Sequence, residues 1–309
     1  MAPADRAGDA ASPGSDPVVE AIFDAIASTA PTIRAELPHR RVESGAAENP
    51  SGETVMAGDL YADELLAEAL SAVNGVGSYV SEERQEALDA GEDVSGDAYA
   101  VAVDPLDGSS NLRSNNAMGT VVGIYDAPLP ASGEHLVAAG YVLFGPITTA
   151  VIADATGVRE EVVEPDPDAE HGVSRSVVVP DLELPAEPTV YGFGGRVPDW
   201  PDAFRSYARE IEDELKLRYG GSMVGDVNQV LTYGGIFAYP ALRDEPDGKL
   251  RLLFEANPIA YVIEQAGGAA SDGSSRILEI DAEGLHDRVP LYVGNEELVA
   301  RLETALADG

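Results

Sequence analysis

The sequence predicts a layered fold of mixed helices and strands, α+β or α/β in class. Two observations carry this. Stretches with helical apolar spacing and short apolar runs of strand length occur in both halves of the chain. Hydrophobic residues make up 44% of 309, enough for one large domain or two moderate ones sharing a core.

The first fifteen residues, MAPADRAGDAASPGS, read as a flexible tail and not as a signal peptide. Residues 16 to 36 follow as a helix: Asp16 caps it, Pro17 suits the first turn, and Val19, Ile22, Phe23, Ile26, Ala30 and Ile33 form one stripe. Pro31 is expected to kink or end it. A second helix covers 59 to 73, with Leu66, Ala69, Leu70 and Val73 inward. Strands are expected at GSYVSEE, AYAVAVD, GTVVGIYD, LVAAGYVLFG, TTAVIADAT and VREEVVE. The Pro- and acid-rich EPDPDAEHGVSRS and then DLELPAEP mark a domain boundary, dividing 16–185 from 186–309. Beyond it come a strand at TVYGFGG, a helix over 201–215, a helix in VGDVNQVLTYGG and a strand at IFAYP. GKLRLLFE reads as a strand before the proline-started helix NPIAYVIEQAGG, and PLYVGN and a helix over 296–307 close the chain. No internal repeat is visible.

Cysteine is absent, which fits a cytoplasmic protein and excludes disulfides and thiolate metal sites. The net charge of −36, from 55 acids against 19 bases, argues against nucleic acid or an anionic membrane as partner. No apolar run has the length of a bilayer span. The acids are spread along the chain, and only two bases are lysines, Lys216 and Lys249. Such a surface suits molar salt, where the Debye length falls to about 3 Å and self-repulsion is screened. A halophilic cytosolic protein is expected.

Within AYAVAVDPLDGSSN, Asp104 and Asp107 follow an apolar strand. In so acidic a chain their spacing alone says little, and Asp-Pro and Asp-Gly are common in turns. Context says more. Carboxylates at a strand's C-terminal end lie where open sheets bind ligands. Gly108, Ser109, Ser110 and Asn111 then offer flexible backbone, two hydroxyls and a helix start suited to phosphate. Glu82-Glu83 after GSYVS and Glu255 after LRLLF occupy similar positions, with Glu53 and Asp59 as weaker members. Oxygen-only ligands beside a phosphate cradle suit Mg2+ or Mn2+, and these acids suffice for a two-metal site. Lys249, in DGKLRLLFE, lies six residues before Glu255, so either a phosphate contact or a salt bridge to neighbouring acids fits it. His39, His135, His171 and His286 show no ligand spacing.

These residues resemble class I fructose-1,6-bisphosphatase: DPLDGSSN with VSEE, and YGGIFAYP, DGKLRLLFEANPIAYVIEQAGGAAS and LHDRVPLYVGN, in order across roughly residues 17 to 300. The wider lithium-sensitive phosphatase superfamily, with inositol monophosphatases, shares the DPxDG core. The resemblance implies an αβαβα sandwich and hydrolysis of fructose 1,6-bisphosphate to fructose 6-phosphate in gluconeogenesis. It implies two or more Mg2+ or Mn2+ ions per subunit, held by Glu82, Asp104, Asp107, Glu255 and the Leu106 carbonyl. Glu53 stands where the family has an aspartate for a further metal. Glu83 and Asp59 would orient and deprotonate the attacking water. Asp107, Gly108, Ser109, Ser110 and Arg251 would hold the phosphate being cleaved. Tyr219, Tyr239 and Lys249 would hold the sugar and distal phosphate, and Arg218 would reach a neighbouring subunit's distal phosphate, in a homotetramer. A broader phosphatase, accepting sedoheptulose bisphosphate or inositol phosphates, and a non-catalytic cation binder stay open.

Two departures stand out. Gly194 and Val197, in YGFGGRVPDW, occupy the places of a family asparagine and tyrosine that touch the distal phosphate; Arg196 is a candidate replacement cation. Acids or neutral residues near Asp16, at Ala98-Tyr99 and at Asp126 replace the groups of the animal enzymes' AMP site, so no AMP inhibition is expected.

Overall fold

A computed structural model describes residues 14–40, 44–48, 54–94, 98–169 and 171–308. Helix α1 (Pro17–Arg40) buries the expected stripe, Ile33 included, and extends it to Leu37. It does not end at Pro31; both Pro31 and Pro38 lie inside it. An interior proline costs about 3 kcal/mol. Burying Ile33 and Leu37 against the sheet contributes about 1.5–3 kcal/mol each, which offsets that loss.

Next come the antiparallel pair β1 (Ser44–Glu48) and β2 (Thr54–Met56), then α2 (Ala57–Ser71). The large sheet follows: β3 (Val76–Ser81), β4 (Leu88–Asp89), β5 (Tyr99–Asp107), β6 (Met118–Tyr125), β7 (Leu136–Phe144), β8 (Thr148–Asp154), β9 (Gly157–Pro165) and β10 (Val173–Val179). Its order is β10-β9-β8-β7-β6-β5-β3-β4, and β3–β5 is its parallel pair. The stretch expected as a boundary therefore ends in an edge strand. Arg175 disguised it: the side chain turns onto the sheet face, pairing with Glu161 at 2.7 Å and Asp24 at 2.6 Å. Beside it, buried Arg159 binds Glu20, Glu161 and Asp154 at 2.6, 2.8 and 3.1 Å, tying α1 to the sheet.

The second half holds β11 (Val190–Phe193), α3 (Asp202–Glu214), β12 (Lys216–Leu217), α4 (Met223–Tyr233), β13 (Gly235–Tyr239), β14 (Leu250–Arg251), α5 (Asn257–Gln265), β15 (Ala269–Ser271), β16 (Arg288–Val289), β17 (Leu291–Gly294) and α6 (Glu296–Ala307). Five of its strands form a sheet in the order β12-β11-β13-β17-β15, while β14 pairs with β16. Helices α1 and α2 cover the outer face of the large sheet; α4 and α5 lie between the sheets; α3 and α6 cover the small sheet. The result is the five-layer αβαβα sandwich. One buried cluster runs from the large sheet through α4 and α5 to β13 and β17, so both halves share a core. The same packing brings the end of β5, the start of α4 and the turn before α5 together.

Candidate active site

Residues three apart on a regular strand point to opposite faces. On β5, Asp104 pairs opposite Val121 and Asp107 opposite Gly119, so three steps face two on β6. This bulge turns both carboxylates into one cleft. Pro105 is tolerated in the bulge because no ladder N–H is needed there. Its carbonyl accepts the Thr120 hydroxyl at 2.9 Å. Gly108 (φ 73°) then turns the chain into a single 3-10 turn, Ser109–Leu112, shorter than the helix start expected. A Cβ at Gly108 would lie 2.4 Å from that of Ser222, so glycine is required by conformation and by space.

Glu255 corrects the strand reading of GKLRLLFE. Only Leu250–Arg251 pairs as a strand; Leu252–Ala256 winds into a wide π-helical turn that runs into α5. The turn buries Leu252, Leu253 and Phe254 while bringing Glu255 back beside β5. Asp104, Asp107 and Glu255 are all buried, and one carboxylate oxygen from each lies within 4.8 Å of the others. Glu82 and Glu83, directly after β3, also line this cleft, of about 610 Å3, as do Asp59 and Leu106. Glu82 is bound to buried Arg251 at 3.0 Å and stands outside the triad. Glu53 lies outside the described residues.

The electrostatics follow from burying so many acids. Burial, then Glu82, Asp107 and Glu255, hold the Asp104 carboxyl well above its ordinary range. Burial and Glu82 do the same to Glu255, although the Arg251 N–H donates to it at 2.6 Å. Asp107 is raised by burial and held back by the Val224 N–H (2.9 Å) and Ser222 hydroxyl (2.7 Å). Burial and Asp59 push Glu83 up to about 8, and burial pushes Asp59 up to about 6 against the Met56 N–H and Ser109 hydroxyl. Glu83 Oε2 is buried with no hydrogen-bond donor. Clustered, desolvated, oxygen-only groups with an orphaned oxygen fit hard divalent cations, whose charge would cancel these penalties.

At the other end, Tyr219, Tyr239 and Lys249 line the same cleft, and Arg251 joins the ends. Lys249 combines both expected readings: it faces the cleft and pairs with Glu245 at 3.2 Å. Arg218 is exposed and outside the cleft lining, its guanidinium 5.9 Å from the Tyr233 ring centre. Arg196 does not line the cleft either. It pairs with Asp199 at 2.7 Å, so the proposed replacement cation is absent from the site. Gly194 has another reason to be glycine: a Cβ there would lie 2.7 Å from the Tyr239 ring. Val197 is 51% exposed.

Sequence reasoning missed Arg113, Ser222 and Asp226, which also line the cleft. Ser222 was legible as the N-cap of α4 before VGDVNQVL. Asp226, pushed up to about 6 by burial, accepts the N–H groups of Gly220 and Gly221. In so acidic a chain nothing marked it.

The chain matches the family models for the N-terminal domain (residues 18–169) and C-terminal domain (residues 184–307) of fructose-1-6-bisphosphatase. It is 57% identical over 288 residues to the class 1 fructose-1,6-bisphosphatase of Natronomonas pharaonis, covering 93% of this chain and 98% of the relative. Identity to the Halobacterium salinarum enzyme is 53% over 291 residues, covering 94% and 98%. Crystallised Leishmania major fructose-1,6-bisphosphatase in holo form superposes with a TM-score of 0.85 at 29% identity, covering 95% of this chain and 96% of that one.

Proposed function

The chain belongs to the fructose-1,6-bisphosphatase family, and we propose that the cleft just described is where it hydrolyses fructose 1,6-bisphosphate to fructose 6-phosphate and phosphate. The family is metal-dependent. We assign cation binding to Glu82, Asp104, Asp107, Glu255 and the Leu106 carbonyl. Two or more Mg2+ or Mn2+ ions would polarise the phosphate and make the attacking water more acidic. Glu83 and Asp59 sit across the same cleft and would take up the proton of that water. Their raised carboxyls belong to the cation-free cleft; added positive charge brings both down toward their ordinary range.

Gly108, Ser109 and Ser110 would donate backbone and hydroxyl hydrogens to the phosphate being cleaved. Arg251 would exchange its Glu82 partner for phosphate oxygens, a geometry a guanidinium fork favours. Lys249 would likewise leave Glu245 for the distal phosphate, beside the hydroxyls of Tyr219 and Tyr239. Arg218 would serve a neighbouring subunit in a homotetramer. We place the enzyme in the cytoplasm of a halophile, in gluconeogenesis.

The observation that carries the assignment is the buried Asp104–Asp107–Glu255 triad opening onto the same cleft as Lys249 and Tyr239. Its test is phosphate release in molar KCl with Mg2+ from fructose 1,6-bisphosphate, sedoheptulose 1,7-bisphosphate and inositol monophosphate. The first should be preferred, and activity should vanish with EDTA. With no side chain of 194–199 lining the cleft, a longer sugar bisphosphate is the reading to compare. Full turnover by Asp104→Asn would overturn the metal assignment.

A further inference from the structure

Asn111 ends the DPLDGSSN motif, yet none of the roles above uses its side chain; Asp226 lines the cleft without one. Both act on one peptide segment. The Asn111 amide donates to the carbonyls of Gly220 (3.0 Å) and Ala117 (2.9 Å), and the Asn116 amide donates to Gly220 at 2.8 Å. From the other side, the Asp226 carboxylate accepts the N–H groups of Gly220 at 2.6 Å and Gly221 at 3.1 Å. Gly220 is thus held by both of its backbone groups. A second tie lies close by, where Asp107 accepts the Ser222 hydroxyl and the Val224 N–H.

Two consecutive glycines cannot hold a position themselves, since glycine has the widest backbone freedom. Gly221 also sits at φ +81°. Tyr219 directly precedes them, is 44% exposed and lines the cleft. Its place relative to the Ser109–Ser110 turn therefore depends on these side-chain bonds. Asp226 is 2% exposed, so its two bonds are charge-assisted and shielded from water.

Resting on the assignment of the two phosphate ends above, we propose that Asp226, Asn111 and Asn116 are positioning residues that set the span between them. By clamping Gly220, they select sugars whose two phosphates match that span. The prediction concerns discrimination, because a misplacement of about 1 Å can cost 100-fold in rate.

The test uses the full-length protein with Mg2+ in molar KCl, comparing kcat/KM for fructose 1,6-bisphosphate with that for fructose 1-phosphate, which lacks the distal group. The ratio within one preparation is independent of the folded fraction. Asp226→Asn should lower it about tenfold or more, with fructose 1-phosphate turnover changed less than about twofold. Asn116→Ala, at an exposed side chain, should lower it about threefold. Equal losses on both substrates, or an unchanged ratio, would leave the clamp a purely structural feature and overturn the inference. A wild-type enzyme with no preference for the bisphosphate would sink the distal-phosphate assignment itself, and the inference with it.

Discussion

Glu83→Gln separates the electrostatics of the cleft from its chemistry. Burial raises the Glu83 carboxyl from 4.5 to about 8 in the cation-free protein. Between these values the folded state binds a proton that the unfolded chain does not, so stability falls as pH rises through this window. Each pH unit costs at most about 1.36 kcal/mol, making about 4 kcal/mol the ceiling at pH 7.5. The side chain is only partly buried, and screening reduces this to about 1–2 kcal/mol. Glutamine removes the charge and keeps the shape. In EDTA and molar KCl at pH 7.5, Glu83→Gln should melt about 2–8 °C above the wild type, at about 2–4 °C per kcal/mol. The gap should close at pH 4.5, where both carry a neutral side chain, and narrow with Mg2+. Turnover with Mg2+ should fall about 100-fold or more as the proton acceptor is lost. Identical melting at pH 7.5 in EDTA would refute the electrostatic reasoning, and retained turnover would refute the catalytic role.

Other perturbations reach different parts of the molecule. Gly108→Ala forces a side chain into the left-handed region and against Ser222, at a combined cost of about 2–5 kcal/mol, and should depress turnover by moving Asp107; wild-type melting would show that the contact is not tight. Arg159→Met removes the buried cation shared by Glu20, Asp154 and Glu161, leaving Arg175 on Glu20 and Glu161, and should cost about 3 kcal/mol by denaturant unfolding at neutral pH, with little change in fructose 1,6-bisphosphate KM. Moving the protein from molar KCl to dilute buffer should lower its melting temperature, because a net charge of −36 is then no longer screened; an unchanged value contradicts the halophilic reading. AMP should leave turnover unaffected: Asp16 accepts the Tyr99 hydroxyl at 2.8 Å and Asp126 pairs with His135 at 2.9 Å, so two of the positions compared carry acids. Inhibition at micromolar AMP would contradict this.

The ligand-bearing segments were legible because their physics is local. A six-residue apolar run, 98–103, announces β5, Gly-Ser-Ser announces a helix start that one 3-10 turn supplies, and Asn-Pro announces the start of α5. Features that depend on contact with distant chain were not. Arg175 hid β10 because its charge is neutralised by α1 and β9. The π-helical turn of Leu252–Ala256 looked like a strand, since its apolar residues are buried on all sides and carry no helical spacing.

Residue types and their order alone determined that this chain is acid-coated, of mixed α and β class, and similar to the fructose-1,6-bisphosphatases through its carboxylate and Gly-Ser-Ser motif. Tertiary structure decided how those groups meet. The bulge that aims Asp104 and Asp107 together exists only against β6, and the return of Glu255 exists only because α5 packs between two sheets. It also took Arg196 out of the cleft and brought Asp226 into it, a distinction between acids and bases of ordinary appearance that only their burial and partners could make.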